Sequence, residues 1–264
     1  MQIIKVPFIN GLGKTKGCEK APEAIVSELS GIYTNEKNIV SEISRHNVTK
    51  ININQENLDE SEKMIYNESR KIFAKNDFSL FLGGDHSISY PLCRAFSESF
   101  ANPGIVIFDA HADCVHDFYP PTHEDWLRTL VSKGFKPGNV ILAGLRNVHS
   151  IEKDFISAKK IRCFMQKDIF GNLHDICDAI METARKFDAL YLSIDIDAVD
   201  PAFAPAVAYP EPAGLSSREI IYFIQRLNML KNLRAADISE VNPLKDFNNI
   251  TSKLAAKITA ELIR

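Results

Sequence analysis

No apolar run in this chain approaches the ~18–20 residues of a membrane-spanning helix, so no membrane partner is expected. Neither sign of charge dominates: 31 basic residues against 34 acidic give a formal net charge of −3. With a pI near 6.2, that balance gives no support for a nucleic-acid partner or an anionic membrane surface. The cysteines Cys18, Cys93, Cys114, Cys163 and Cys177 are scattered, odd in number and without a Cys-x-x-Cys pair. Neither a disulfide framework nor a thiolate zinc site is expected, and a reducing cytoplasm fits this usage best. The first residues, Met1-Gln-Ile-Ile-Lys-Val-Pro7, lack signal-peptide architecture and read as a strand. Linkers, low-complexity tracts and internal repeats are missing too, and we expect one domain over residues 1–264.

What remains is an alternation of short apolar runs and amphipathic stretches. The spacing predicts strands at Gln2–Val6, Val48–Ile53, Phe78–Leu82, Gly104–Phe108, Asn139–Ala143, Ile161–Phe164, Ala189–Ile194 and Leu233–Ile238. Between and after them it predicts helices at Pro22–Leu29, Leu58–Lys75, Ser89–Phe100, Glu124–Lys133, Ile151–Lys159, Leu173–Phe187, Ser217–Leu230 and Ile250–Ile263. About eight strands separated by helices imply an α/β fold, a mostly parallel sheet with helices on both faces. A TIM barrel has the same strand count, so counting alone does not exclude it.

Three of the predicted strands run straight into polar clusters. Phe78–Leu82 leads into Gly83-Gly-Asp-His-Ser87, Gly104–Phe108 into Asp109-Ala-His-Ala-Asp113, and Ala189–Ile194 into Asp195-Ile-Asp-Ala-Val-Asp-Pro201. The carboxyl edge of an open parallel sheet is where ligands bind. Carboxylates mixed with imidazole favour divalent metals of intermediate hardness, such as manganese. Candidate ligands are His86, Asp109, His111, Asp113, Asp195 and Asp197. Two carboxylates at the end of an apolar strand are costly to bury unless cations neutralise them. Asp200, before Pro201, reads as a turn-former. Gly13-Lys14-Thr15 is no P-loop, because Phe8 stands where the first glycine is required. Cys114 reads as packing.

Together the three clusters resemble the signatures of the ureohydrolase superfamily, which includes arginase, agmatinase, guanidinobutyrase, proclavaminate amidinohydrolase and formimidoylglutamase. The resemblance covers nearly the whole chain, in order and spacing, and is closest in type to agmatinase. It implies a three-layer α/β/α fold and two manganese ions per chain. His86 and Asp113 would hold one ion and His111 and Asp197 the other, with Asp109 and Asp195 bridging. A hydroxide between the ions would attack a guanidinium carbon, giving urea and an amine. The implied catalytic residues are Asp113, His123 and Glu240. Glu240 would receive the guanidinium, and His123 would supply the leaving amine's proton. A homo-oligomer, trimer or hexamer, is implied as well.

The chain departs from the pattern in several places. Glu124 replaces the usual glycine after the loop histidine, and His116 is a nearby competitor for His123. His149 and Val115 stand where arginases hold the α-amino and α-carboxylate groups, which turns the expectation from arginine toward agmatine. Ala206-Val-Ala-Tyr209 replaces a Gly/Thr-rich turn, and Tyr209 would narrow the pocket or stack on a planar cation. Candidate substrate-binding residues are therefore Glu240, His123, Tyr209 and His149. Arginase, guanidino-acid hydrolase or formimidoylglutamase activity remain alternatives, as do a one-metal deacetylase and a member that binds metal without turnover.

Overall fold

The computed structural model describes residues 1–75 and 77–264. Eight strands form one sheet in the order β2-β1-β3-β8-β7-β4-β5-β6, and every pairing is parallel. They are β1 (Gln2–Val6), β2 (Asn47–Lys50), β3 (Ser79–Gly83), β4 (Pro103–Phe108), β5 (Val140–Leu145), β6 (Arg162–Met165), β7 (Ala189–Asp195) and β8 (Leu233–Ser239). The sheet is open, with β2 and β6 at its edges, which excludes the barrel.

The α-helices are α1 (Ala21–Leu29), α2 (Leu58–Phe73), α3 (Ser89–Ser97), α4 (Trp126–Ser132), α5 (Ser150–Lys159), the single turn α6 (Gln166–Ile169), α7 (Leu173–Ala184), α8 (Ser217–Leu227) and α9 (Ile250–Leu262). Strand side chains alternate between faces, and the core divides accordingly. Leu80, Leu82, Val106, Phe108, Leu190 and Leu192 pack with α1, α7, α8 and α9. Phe81, Ile105, Ile107 and Tyr191 pack with α2, α3 and α4 on the other face. Both faces of β4 and β7 are therefore buried, which is why their sequences read as continuous apolar runs.

Several elements are shorter than their patterns predict. Helix α3 stops at Ser97 rather than Phe100 because the Ser97 and Ser99 hydroxyls bond the carbonyls of Arg94 and Ala95 at 2.8 Å. Helix α4 begins at Trp126 rather than Glu124, since Thr122 to Asp125 form a side-chain-bonded turn. Strand β2 closes at Lys50 instead of Ile53, although Ile51 still donates to the Lys5 carbonyl.

The four central strands, β3-β8-β7-β4, are the ones that end in polar clusters. Register aligns Leu82 with Ile238, Ile238 with Ile194, and Ile194 with Phe108. The residues just beyond that row include Asp109 and Asp195, so clusters distant in sequence emerge side by side on one edge.

Candidate active site

Each polar cluster is shaped by local bonds. After β3, Gly84 lies so near the neighbouring loop that an added Cβ would sit 2.1 Å from the Phe8 carbonyl oxygen. That approach lets Asp85 N donate to Phe8 O at 3.1 Å and Glu240 N to Gly84 O at 2.9 Å. Asp85 itself faces away from the metal-ligand candidates, accepting from Asn10 N at 2.6 Å and Thr15 Oγ1 at 2.7 Å. After β4, Asp109 Oδ1 accepts from His111 N at 2.6 Å, and Asp113 takes a left-handed φ of +51°. This is the bend needed to aim Asp109, His111 and Asp113 inward together. After β7, Asp195 Oδ1 accepts from Asp197 N at 2.8 Å.

The side chains meet in two groups. His86 Nδ1 lies 3.1 Å from Asp109 Oδ2, 2.9 Å from Asp113 Oδ2 and 3.2 Å from Asp195 Oδ2. His111 Nδ1 lies 2.9 Å from Asp197 Oδ2 and 3.6 Å from Asp109 Oδ1. Asp109 is thus common to both, with one oxygen toward each imidazole. Asp195 turns Oδ2 to His86 and spends Oδ1 on the Asp197 amide. All four aspartates are buried, and His111 is partly exposed. Burial, then the charge of Asp109, drives Asp113 well above the usual carboxylate range. Burial, then Asp197 and Asp109, does the same to Asp195. Positive charge is in short supply here.

Beside this cluster, Glu240 follows β8 with φ +66°. Its Oε1 accepts from His86 N at 2.8 Å and lies 3.2 Å from His123 Nδ1. Burial alone would lower the His123 pKa. The hydrogen bond to Glu240 and the charges of Glu240, Asp85 and Asp113 outweigh it and raise the value to about 9. Glu124 leaves His123 inside the site, with Glu124 Oε1 3.8 Å from its Nε2. His116 is exposed, turned toward Phe118 and away from the cleft. The Tyr209 ring stacks on that of His123, with ring centroids 5.6 Å apart and an interplanar angle of 27°. Lys14 covers Tyr209 at 5.6 Å from the ring centroid. Neither Ala208 nor Tyr209 takes a positive φ; the left-handed residue of that loop is Ala213, at +62°. His149 lines the cleft and also caps α5, its Nδ1 accepting from Ile151 N at 3.2 Å. Asp200 ties its loop by accepting from Ala202 N and Gly214 N. Cys114 is a buried thiol whose pKa burial drives up.

Three participants escape a reading of motifs. Asp237, inside β8, is fully buried and accepts from Ser193 Oγ at 2.9 Å, Tyr191 OH at 2.8 Å and Ser89 Oγ at 2.9 Å. Ser193 Oγ is in turn 3.0 Å from His86 Nε2. Arg146 reaches the carbonyls of Asp197 at 2.6 Å, Ala198 at 3.2 Å and Glu211 at 2.7 Å, joining the β7 end to the following loop. Glu211 presents Oε1 3.5 Å from His111 Nε2. The only signal for Asp237 was an acid inside an apolar strand. Arg146 and Glu211 lie in stretches the resemblance covers, Gly144-Leu-Arg146 and Pro210-Glu211, but neither pattern marks them as site residues.

These side chains open onto a cleft of about 320 Å³ whose lining includes His111, Asp113, His123, His149, Tyr209, Glu211 and Glu240. An open parallel α/β sheet carrying paired imidazole–carboxylate groups at its carboxyl edge defines the class. The chain belongs to the Arginase family, whose model matches residues 1–264. It is 32% identical to an arginase of Staphylococcus aureus over 200 residues, 69% of this chain and 66% of the relative. It is 35% identical to proclavaminate amidinohydrolase of Streptomyces clavuligerus over 191 residues, covering 70% of this chain and 60% of that one. The match therefore spans 66% and 60% of these relatives' own length, less than two thirds of each. Among solved structures, the Streptomyces clavuligerus enzyme superposes with a TM-score of 0.89 at 28% identity, over 98% of this chain and 89% of the other. Formimidoylglutamase from Bacillus subtilis shares the fold at a TM-score of 0.91 and 23% identity, over 99% and 85% of the two chains.

Proposed function

We propose that this chain is a two-metal amidinohydrolase that splits the guanidino C–N bond of a small substrate into urea and an amine, and that agmatine is its substrate. The observation that carries the reading is Asp109, whose two oxygens face two separate imidazoles. Divalent ions fit this set. His86 Nδ1 is buried and makes no hydrogen bond although three carboxylate oxygens crowd it. Four buried aspartates converge, three of them in the lining of a cleft that, among the described residues, has no lysine or arginine in its wall. His86, Asp113 and Asp195 would hold one ion and His111 and Asp197 the other, with Asp109 shared and Asp195 the second candidate bridge. Oxygen and imidazole donors without thiolate suit manganese. Such a pair supplies Lewis acidity and lowers the pKa of a water toward neutrality.

The protein's own groups do the rest. The Glu240 carboxylate is held by His86 N and lies at the cleft wall, where it accepts guanidinium N–H bonds and fixes the plane of the carbon to be attacked. Asp113, steadied by Trp126 Nε1 at 2.7 Å, takes up the proton released by the nucleophile. His123 is cationic at neutral pH, its pKa near 9, and donates a proton to the departing amine. Tyr209 stacks on its ring and limits its rotation.

Charge favours agmatine. The lining includes Glu124, Glu152, Glu211 and Glu240 besides the aspartates, while Lys14 stands outside and pairs with Glu124 at 3.9 Å. A substrate with a carboxylate head finds no lysine or arginine in the lining. Val115 and His149 replace the residues that would hold an amino-acid head. The test is urea release by manganese-loaded protein from agmatine, arginine, 4-guanidinobutyrate and guanidine, with formiminoglutamate followed by formamide release. Selective agmatine turnover is expected. Stronger turnover of arginine or formiminoglutamate refutes the substrate, and two bound ions without turnover of anything refutes the enzyme.

A further inference from the structure

Glu211, in the Pro210-Glu211 pair after the altered Ala206–Tyr209 turn, is not among the candidate site residues, yet its carboxylate is held at the wall of the cleft. Its carbonyl accepts from Arg146 Nη2 at 2.7 Å and Nε at 3.2 Å, which pins the backbone. Its Oε1 accepts from Asn147 Nδ2, the residue after Arg146, so one short segment fixes both backbone and side chain. The side chain remains 24% exposed, enough to meet a ligand. Among the described residues its side chain forms no ion pair with a lysine or arginine; its paired base is His111. Arg146 is the guanidinium beside it, and the hydrogen bonds of that group go to carbonyl oxygens, those of Gly144, Asp197, Ala198, Val199, Glu211 and Pro212. The other nearby base is His111, whose Nε2 is 3.5 Å away. With the Arg146 hydrogen bonds spent on carbonyl oxygens, the donor fixed on the Glu211 side chain is the neutral Asn147 amide. A half-buried carboxylate held by one amide is under-compensated, and a cation arriving with the substrate completes it.

We infer that Glu211 is a specificity-determining residue that binds the cationic tail of the substrate, with Asn147 and Arg146 as its positioning residues. The inference rests on the amidinohydrolase reading above. It adds how one tail charge is chosen over another: the reacting guanidinium goes to Glu240 and the far ammonium to Glu211. The same carboxylate repels a carboxylate tail, which makes it a device of rejection as well as attraction.

The test uses three substrates of nearly equal length on the metal-loaded chain: agmatine with a cationic tail, butylguanidine with a neutral one, and 4-guanidinobutyrate with an anionic one. Glu211→Gln keeps size and the Asn147 contact while removing the charge. It is expected to raise KM for agmatine roughly ten- to hundredfold, the worth of one hydrogen bond to a charged group. The KM for butylguanidine should stay put, and that for 4-guanidinobutyrate should fall. Asn147→Ala, which frees the carboxylate without removing it, should move agmatine in the same direction by less. An equal effect on all three substrates overturns the proposal. So does loss of bound metal in Glu211→Gln, which would make Glu211 an orienting partner of His111 instead. If the native protein hydrolyses no guanidine, the enzyme reading fails and Glu211 is judged separately, by calorimetry with 1,4-diaminobutane and 1-aminobutane. A preference for the diamine that vanishes in Glu211→Gln supports the tail site, and equal binding of both amines overturns it.

Discussion

Asp237 offers the sharpest check on the candidate metal centre, because it touches no proposed ligand and yet sits two hydrogen bonds from one. Ser193 Oγ donates to Asp237 Oδ1 at 2.9 Å, so its lone pair faces His86 Nε2 at 3.0 Å and receives the ring proton. That places the hydrogen on Nε2 and leaves Nδ1 bare toward Asp109, Asp113 and Asp195, the tautomer a ligand needs. Asp237→Asn removes the charge and one acceptor oxygen, while Tyr191, Ser193 and Ser89 continue to offer hydroxyl protons. An amide turned the wrong way presents N–H to Ser193, reverses that hydroxyl and pushes the imidazole toward the other tautomer. Outer partners of this kind are worth about 10–100-fold in metal affinity. At fixed, saturating manganese that is a loss of about 1.4–2.7 kcal/mol of metal-linked stability. The assay is the melting temperature of native and variant chains, each with and without manganese, together with ions retained against a competing chelator. A purely structural lesion lowers both melts by the same amount. Loss of the ligand-ready tautomer shrinks the manganese-dependent rise itself, and Ser193→Ala should shrink it too. An undiminished rise in Asp237→Asn, with two ions retained, refutes it.

Further expectations follow from the same geometry. Stripping manganese should lower the melting temperature, since an ion at a hundred times its Kd adds about 2.7 kcal/mol; a titration that saturates at one ion per chain would contradict the shared role of Asp109. His123→Asn should cut kcat by ~10²–10⁴-fold with metal content unchanged. Because the pKa of His123 is raised to about 9, the proton it donates is in place below that value and is lost as pH rises through it. Native kcat should therefore fall on that alkaline limb while the variant's does not, and a limb that survives in His123→Asn would remove His123 from the acid role. Gly84→Ala puts a methyl 2.1 Å from the Phe8 carbonyl, a backbone atom that cannot swing aside. A loss of about 1–3 kcal/mol is expected in urea unfolding, and an unchanged midpoint would show that the β3 turn has slack.

The parts of this protein that were legible in its sequence are those encoded locally, and the rest depends on which strands lie together. Ile105 and Ile107 face one side of the sheet and Val106 and Phe108 the other, so β4 had to read as a doubly buried strand. The three polar clusters were equally plain, because each follows such a run directly. Their convergence was not local information. It comes from β8 inserting between β3 and β7, a pairing of residues near 80 with residues near 236 that no window of sequence contains. The same holds for partners: Tyr209 had the surface of a stacking residue, but its planar neighbour, His123, lies 86 positions earlier. Asp237 shows the limit most clearly. Its strand reads Leu-Arg-Ala-Ala-Asp-Ile-Ser, and a lone acid there could as easily have faced water at an edge. Only because β8 lies in the middle of the sheet is that carboxylate sealed, and only because Ser89, Tyr191 and Ser193 surround it is it tolerated. The order of the strands thus decides which polar residues can carry a buried charge, and with it which imidazole is held ready for an ion.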